Sequence, residues 1–153
     1  MARPDTPVSQ FNFNVKLGTS EAGFQEVSGL GMEIHVAEYR AGNYIENSPQ
    51  KITGSYKVND VTLKRGVFLG DAATLYGWID AVRDGDQTQA RTVIIQLMDE
   101  NVSNPTAVRT WTLSKARPIK LTGPAFMGKG ADIAIEELVL ASERIDQADG
   151  DGS

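Results

Sequence analysis

Leu30-Gly31-Met32-Glu33-Ile34-His35-Val36-Ala37-Glu38-Tyr39 decides how this chain is read. Leu30, Met32, Ile34 and Val36 alternate with Gly31, Glu33, His35 and Ala37. A period of two belongs to a strand with two unlike faces. The pattern predicts a strand over 30–39 with Met32, Ile34 and Val36 in the subunit core and with Glu33 and His35 on a face outside it. On that reading a charge at Ile34 abolishes folding, whereas a charge at His35 leaves a soluble subunit.

The alternation recurs on both sides of this stretch. Phe11, Phe13, Val15 and Leu17 alternate with Asn12, Asn14 and Lys16, and Ile52, Gly54, Tyr56 and Val58 alternate with Thr53, Ser55 and Lys57. A short strand is expected at 24–27, another at 61–65 closed by Gly66, and a β-branched one at 92–98. Two more, 108–113 and 117–122, are expected to be linked by Ser114-Lys115-Ala116, with Pro118 placing the second at an edge or near a bulge. Residues 132–143 read as a strand with a bulge near Glu136. Ala72, Leu75, Trp78, Ile79 and Val82 fall at helical spacing, so one helix is expected over 71–84. Asp71 is its candidate N-cap and Gly85 its left-handed end. Many strands and one helix predict a mainly β fold, an antiparallel β-barrel or sandwich subunit with one packed α-helix. Its expected divisions are a flexible N-terminal arm over 1–10, one barrel domain over 11–143, and an acidic flexible tail over 144–153.

The connection from Arg40 to Pro49 is irregular yet carries Tyr44 and Ile45 beside Gly42 and Asn43. Apolar side chains in a long connection mark a segment that docks on something.

Bulk composition narrows the function. Of 153 residues, 41% are hydrophobic and 23% charged, the ordinary range of a globular domain. There is no cysteine, which excludes a disulfide framework, a thiol nucleophile and thiolate-bound zinc. Fifteen basic against twenty acidic residues give a net charge of −5. Lys and Arg are scattered, so the basic field of a nucleic-acid binder is missing. The first residues, Met1 to Pro7, lack an apolar run of signal-peptide length, and no window approaches a membrane span. The protein is therefore expected to be made soluble, without direct membrane anchoring.

No segment assembles a reaction centre. Gly123 to Gly130 has the spacing of a phosphate-binding loop up to Lys129, but Gly130 stands where a hydroxyl is needed and Pro124 removes an amide. His35 is the single histidine and has no partner set. Asp146, Asp149 and Asp151 lack the later glutamate of a calcium loop. The pairs Asp99-Glu100 and Glu136-Glu137 diverge if they sit on strands. The chain is expected to be no enzyme and to need no cofactor or metal. Trp111 could serve a monomeric β-sandwich that binds carbohydrate or another ligand, and this is the alternative reading.

An ordered set of short motifs adds a resemblance. It comprises Phe24-Gln25-Glu26-Val27-Ser28-Gly29-Leu30, Glu38-Tyr39-Arg40-Ala41-Gly42, Thr62-Leu63-Lys64-Arg65-Gly66 and Trp78. Trp111-Thr112-Leu113, Ala116-Arg117-Pro118, Gly123-Pro124 and Ile133 to Leu138 complete it. Over residues 11–143 the chain resembles the tail tube family of contractile phage tails and extracellular contractile injection systems. The resemblance implies a structural subunit that closes into hexameric rings. The rings stack into a hollow tube inside a sheath, and contraction drives the tube through a target envelope to deliver cargo, either effector protein or phage DNA. Implied partners are further copies, the sheath protein, and baseplate and tube-capping proteins. The implied location is the cytoplasm during assembly, then a phage tail or a released particle. Tyr39, Arg40, Gly42, Asn43, Tyr44 and Ile45 are the candidate ring contacts. Leu63, Lys64, Arg65, Gly66 and Trp78 are the structural motif.

Overall fold

Val61, Leu63 and Arg65 point inward from one short strand, Val61–Gly66, while Thr62 and Lys64 point outward, and this in–out rhythm organises the whole body. The computed structural model describes residues 13–18, 20–40, 42, 49–67, 72–101, 103–124, 128 and 134–151. In chain order the elements are β1 Phe13–Leu17, β2 Ser20–Ala22, β3 Glu26–Ser28, β4 Met32–Tyr39, β5 Gln50–Val58 and β6 Val61–Gly66. They continue with α1 Ala72–Arg83, a 3-10 turn Gln87–Gln89, β7 Arg91–Met98, β8 Ala107–Thr122, β9 Ile135–Ala141 and β10 Arg144–Asp149. The mainly β architecture with one helix agrees with the sequence pattern. Asp71, the expected cap, and Ile133 lie outside the described residues.

The main sheet runs β2-β1-β7-β8-β9-β6-β3, with β10 also paired to β8, and every described pairing is antiparallel. β8 belongs to both halves. Its first part, 107–116, pairs with β7 and carries β10 on its other side, whereas its last part, 117–122, pairs with β9. Residues 108–122 are thus one strand, not two linked by a turn. Lys115 takes a left-handed φ of 52° within it, which lets the strand turn from one half to the other without ending. Pro118 does sit beside an irregularity: Ile119 is the extra residue between the pairs Pro118–Leu140 and Lys120–Val139. A proline has no N–H for the ladder, so a bulge accommodates it. The expected bulge at Glu136 is absent, because β9 pairs with β6 without interruption from Leu140 to Ile135.

Val15, Leu17, Val61, Leu63, Val93, Ile95, Leu113, Leu138 and Leu140 come from alternating positions of five strands and form one buried cluster. Each such side chain contributes about 1.5–3 kcal/mol when taken from water. Leu75 and Trp78, three apart on α1, close the cluster from outside the sheet. Trp78 donates its indole N–H to the Gln89 carbonyl at 2.7 Å, and the Arg91 guanidinium lies 4.7 Å from its ring centre. The helix ends in a Schellman arrangement. Gly85, at φ 90°, donates to the Val82 carbonyl at 3.0 Å, and Asp86 donates to that of Ala81 at 3.2 Å.

The acidic end is not a tail over 144–149. β10 pairs along β8 from Arg144–Ser114 to Asp149–Arg109, and Ile145 is buried in the core. Gly150 continues the attachment, donating to the Val108 carbonyl at 2.9 Å. A single inward apolar residue and a complete backbone ladder hold a segment whose composition reads as solvated.

Candidate assembly surface

The hairpin β4–β5 pairs with no other described strand. Its base is a narrow neck between β3 and β6. Asn59 donates its N–H to the Gly31 carbonyl at 3.1 Å. Gly29 has φ 89°, and a Cβ there would collide with the Asp60 backbone oxygen. Only glycine fits this neck. Strand register is the same below it, with Ser28 opposite Thr62, as above it, with Met32 opposite Val58. The hairpin is therefore the outward extension of the sheet's edge ribbon β3–β6.

Every residue of β4 is exposed, and so is every residue of β5 except Val58. This corrects the expectation that Met32, Ile34 and Val36 lie in the subunit core: they are 54%, 50% and 42% exposed. The alternation is real, but among the described residues nothing covers the apolar side closely enough to bury it. Consequently a charge at Ile34 meets no packed core, and its expected effect on folding is withdrawn.

Cross-strand pairs assign the two faces. One carries Met32–Val58, Ile34–Tyr56 and, beyond a register shift, Val36–Thr53. The other carries Glu33–Lys57, a favourable opposite-charge pair, together with His35, which falls at the shift itself. The apolar face overlooks β10 across an open hollow of about 300 Å³ lined by Met32, Ile34, Gly54, Tyr56, Arg144, Ile145 and Asp146. Asp146 accepts from the Arg144 guanidinium at 3.1 Å and raises its pKa. The polar face lines a second open hollow of about 350 Å³ with Glu33, His35, Ser55, Tyr56 and Lys57.

Tyr39 ends β4 and is exposed, as are Arg40 and Gly42. Asn43, Tyr44 and Ile45 lie outside the described residues. The Leu63-to-Gly66 motif sits far from the hairpin tip, in the body. Leu63 is core, Lys64 pairs with Glu26 at 3.3 Å, and Arg65 is held by Glu136 at 2.6 Å and lies 5.8 Å from the Phe24 ring centre. The sequence pattern missed this Arg65–Glu136 pair; an arginine at the inward phase of a strand is its signal.

The remaining candidate residues serve structure. The Asp99 carboxylate accepts from the Thr106 N–H at 3.1 Å, the Thr106 hydroxyl at 2.8 Å and the Asn101 N–H at 3.3 Å. These bonds lower its pKa. Trp111 packs partly on the core and donates to the Gln147 side chain at 3.1 Å. Among the described residues, no group of three or more His, Asp and Glu side chains could hold a metal ion, and no helix is long and apolar enough to cross a membrane.

A mainly β antiparallel body with one helix, whose edge ribbon is prolonged into an exposed two-faced hairpin, is the architecture of a structural subunit. The chain belongs to the T4-like virus tail tube protein gp19 family, whose model matches residues 9–146. It is similar to a chain of the sheath-tube complex of an extracellular contractile injection system, PVC, in the extended state, at 30% identity and TM-score 0.84, covering 95% of this chain and 94% of that one. It is also similar to a chain of the anti-feeding prophage tube-terminating cap, at 28% identity and TM-score 0.84 over 97% and 95% of the two chains. A chain of the anti-feeding prophage baseplate matches at 26% identity and TM-score 0.79 over 95% and 97%. Hcp1 from Flavobacterium johnsoniae, at 11% identity and TM-score 0.53 over 92% and 97%, shares the fold. No curated protein sequence matches the chain.

Proposed function

We propose that this chain is the inner-tube subunit of a contractile injection machine, closing into hexameric rings that stack into a hollow tube within a sheath. The observation that carries the reading is the β4–β5 hairpin, exposed on both faces and, among the described residues, unpaired at both outer edges. Exposed strand edges and an apolar sheet face are hazards for a solitary protein and assets for one that pairs with copies of itself. A contact in which each copy presents a different patch to the next closes a ring or grows a helix. Family membership and the likeness to sheath-tube, cap and baseplate chains support the same reading. Residues 40–49, which connect β4 to β5 in sequence, reach the adjacent ring. Sheath, baseplate and cap proteins are the partners, and effector protein or phage DNA is the cargo. The tube does no bond chemistry. Subunits assemble in the cytoplasm and then belong to a phage tail or a released particle.

The test is negative-stain electron microscopy of the purified full chain at high concentration. Rings or tubes of uniform diameter are expected. A strictly monomeric protein at every concentration, with or without sheath protein, overturns the reading.

A further inference from the structure

We propose that Met32 is an oxidation site that controls whether a free subunit can enter the tube. The inference rests on the tube reading above. Met32 is 54% exposed and lies beside Ile34 and Tyr56 in the hollow that faces Ile145. The chain has no cysteine, so two-electron oxidants meet thioethers instead of thiols. Met98, the other methionine among the described residues, is only half-exposed within β7.

The oxidant class is a hydroperoxide. The Met32 sulfur attacks the terminal peroxide oxygen, the O–O bond breaks, an S–O bond forms, and the proton of the transferred hydroxyl passes to the departing oxygen, which leaves as an alcohol, or as water when the oxidant is hydrogen peroxide. Sulfur is oxidised by two electrons and the peroxide is reduced by two. In the free subunit the new sulfoxide oxygen faces water, so folding is unchanged. Once another copy covers the face, that oxygen is a strong acceptor against Ile34 and Tyr56 carbon. Taking so strong an acceptor out of water and onto an apolar face disfavours the covered state.

The experiment treats the purified full chain with hydrogen peroxide before assembly, locates added oxygen by peptide mass mapping, and scores tubes by electron microscopy. Four arms are compared: untreated, treated, treated Met32→Leu, and treated wild type repaired with methionine sulfoxide reductases. Treated wild type is expected to need roughly tenfold more protein or higher to form tubes. Met32→Leu is expected to assemble after treatment, and repair to restore assembly. Preformed tubes are expected to shield Met32 from the same peroxide dose. Tubes from subunits carrying Met32 sulfoxide at the untreated concentration overturn the inference alone, as does equal loss in Met32→Leu. An untreated chain that never assembles overturns the tube reading, and this inference with it.

Discussion

Arg65 of β6 and Glu136 of β9 meet at 2.6 Å, directly opposite one another in an uninterrupted ladder. The guanidinium side chain is 5% exposed and the carboxylate 19%. A charge buried this deeply is tolerated because its partner is fixed by the strand register. Removing one member strands the other. Arg65→Met is expected to cost about 3 kcal/mol. The double variant Arg65→Met with Glu136→Leu is expected to recover most of that loss. Urea unfolding of the three proteins measures both values, and a double variant no better than Arg65→Met would refute the pairing.

Ile34 and Leu138 are both apolar strand residues, yet only Leu138 is buried. Ile34→Glu is expected to leave stability within about 0.5 kcal/mol of wild type. It is also expected to prevent tube formation. Leu138→Ala is expected to cost about 2–5 kcal/mol. Thermal melts and electron microscopy of both variants separate the subunit core from the assembly face.

Gly29 and Gly85 share a left-handed φ but not a neighbourhood. At Gly85 an added Cβ meets open space, so Gly85→Ala is expected to cost only about 1–2 kcal/mol for the backbone conformation. At Gly29 the same methyl meets the Asp60 backbone oxygen, so the neck must shift. Gly29→Ala is expected to cost roughly 3 kcal/mol or more. Equal denaturation midpoints for the two variants would show that the neck is not tight.

Asp99 gives the fold an acid limb. Its folded pKa is lowered, first by the Thr106 N–H and then by the Thr106 hydroxyl. A depressed carboxylate contributes stability that is fully present above the unfolded value of about 3.9 and is lost as pH falls through the folded value. Asp99→Ala is expected to lower Tm at pH 7 and to narrow its gap to wild type as pH falls below about 4. A gap constant from pH 7 to pH 2 would assign the loss to something other than ionisation.

Much of this architecture is legible in the residues, and the failures share a cause. The rhythm of Val61, Leu63, Leu138 and Leu140 gives inward positions because the cover belongs to the same chain. Met32, Ile34 and Val36 have the same rhythm, but period two reports two unlike faces and says nothing of what lies against them. In β10, Ile145 alone is buried, and backbone bonds to β8 supply the rest of the attachment, which leaves no compositional trace. Lys115 and Pro118 look like the end of one strand and the start of another. They bend β8 instead, because its two parts serve different neighbours. For the assembly surface, the two-faced hairpin was visible as a pattern; its freedom from the body was not.

β8 has one further consequence. Adjacent strands are held by hydrogen bonds, but the two parts of the main sheet are also joined along the covalent backbone of Ala107–Thr122. A displacement of one part of the sheet is therefore passed to the other along an unbroken main chain as well as through the ladders.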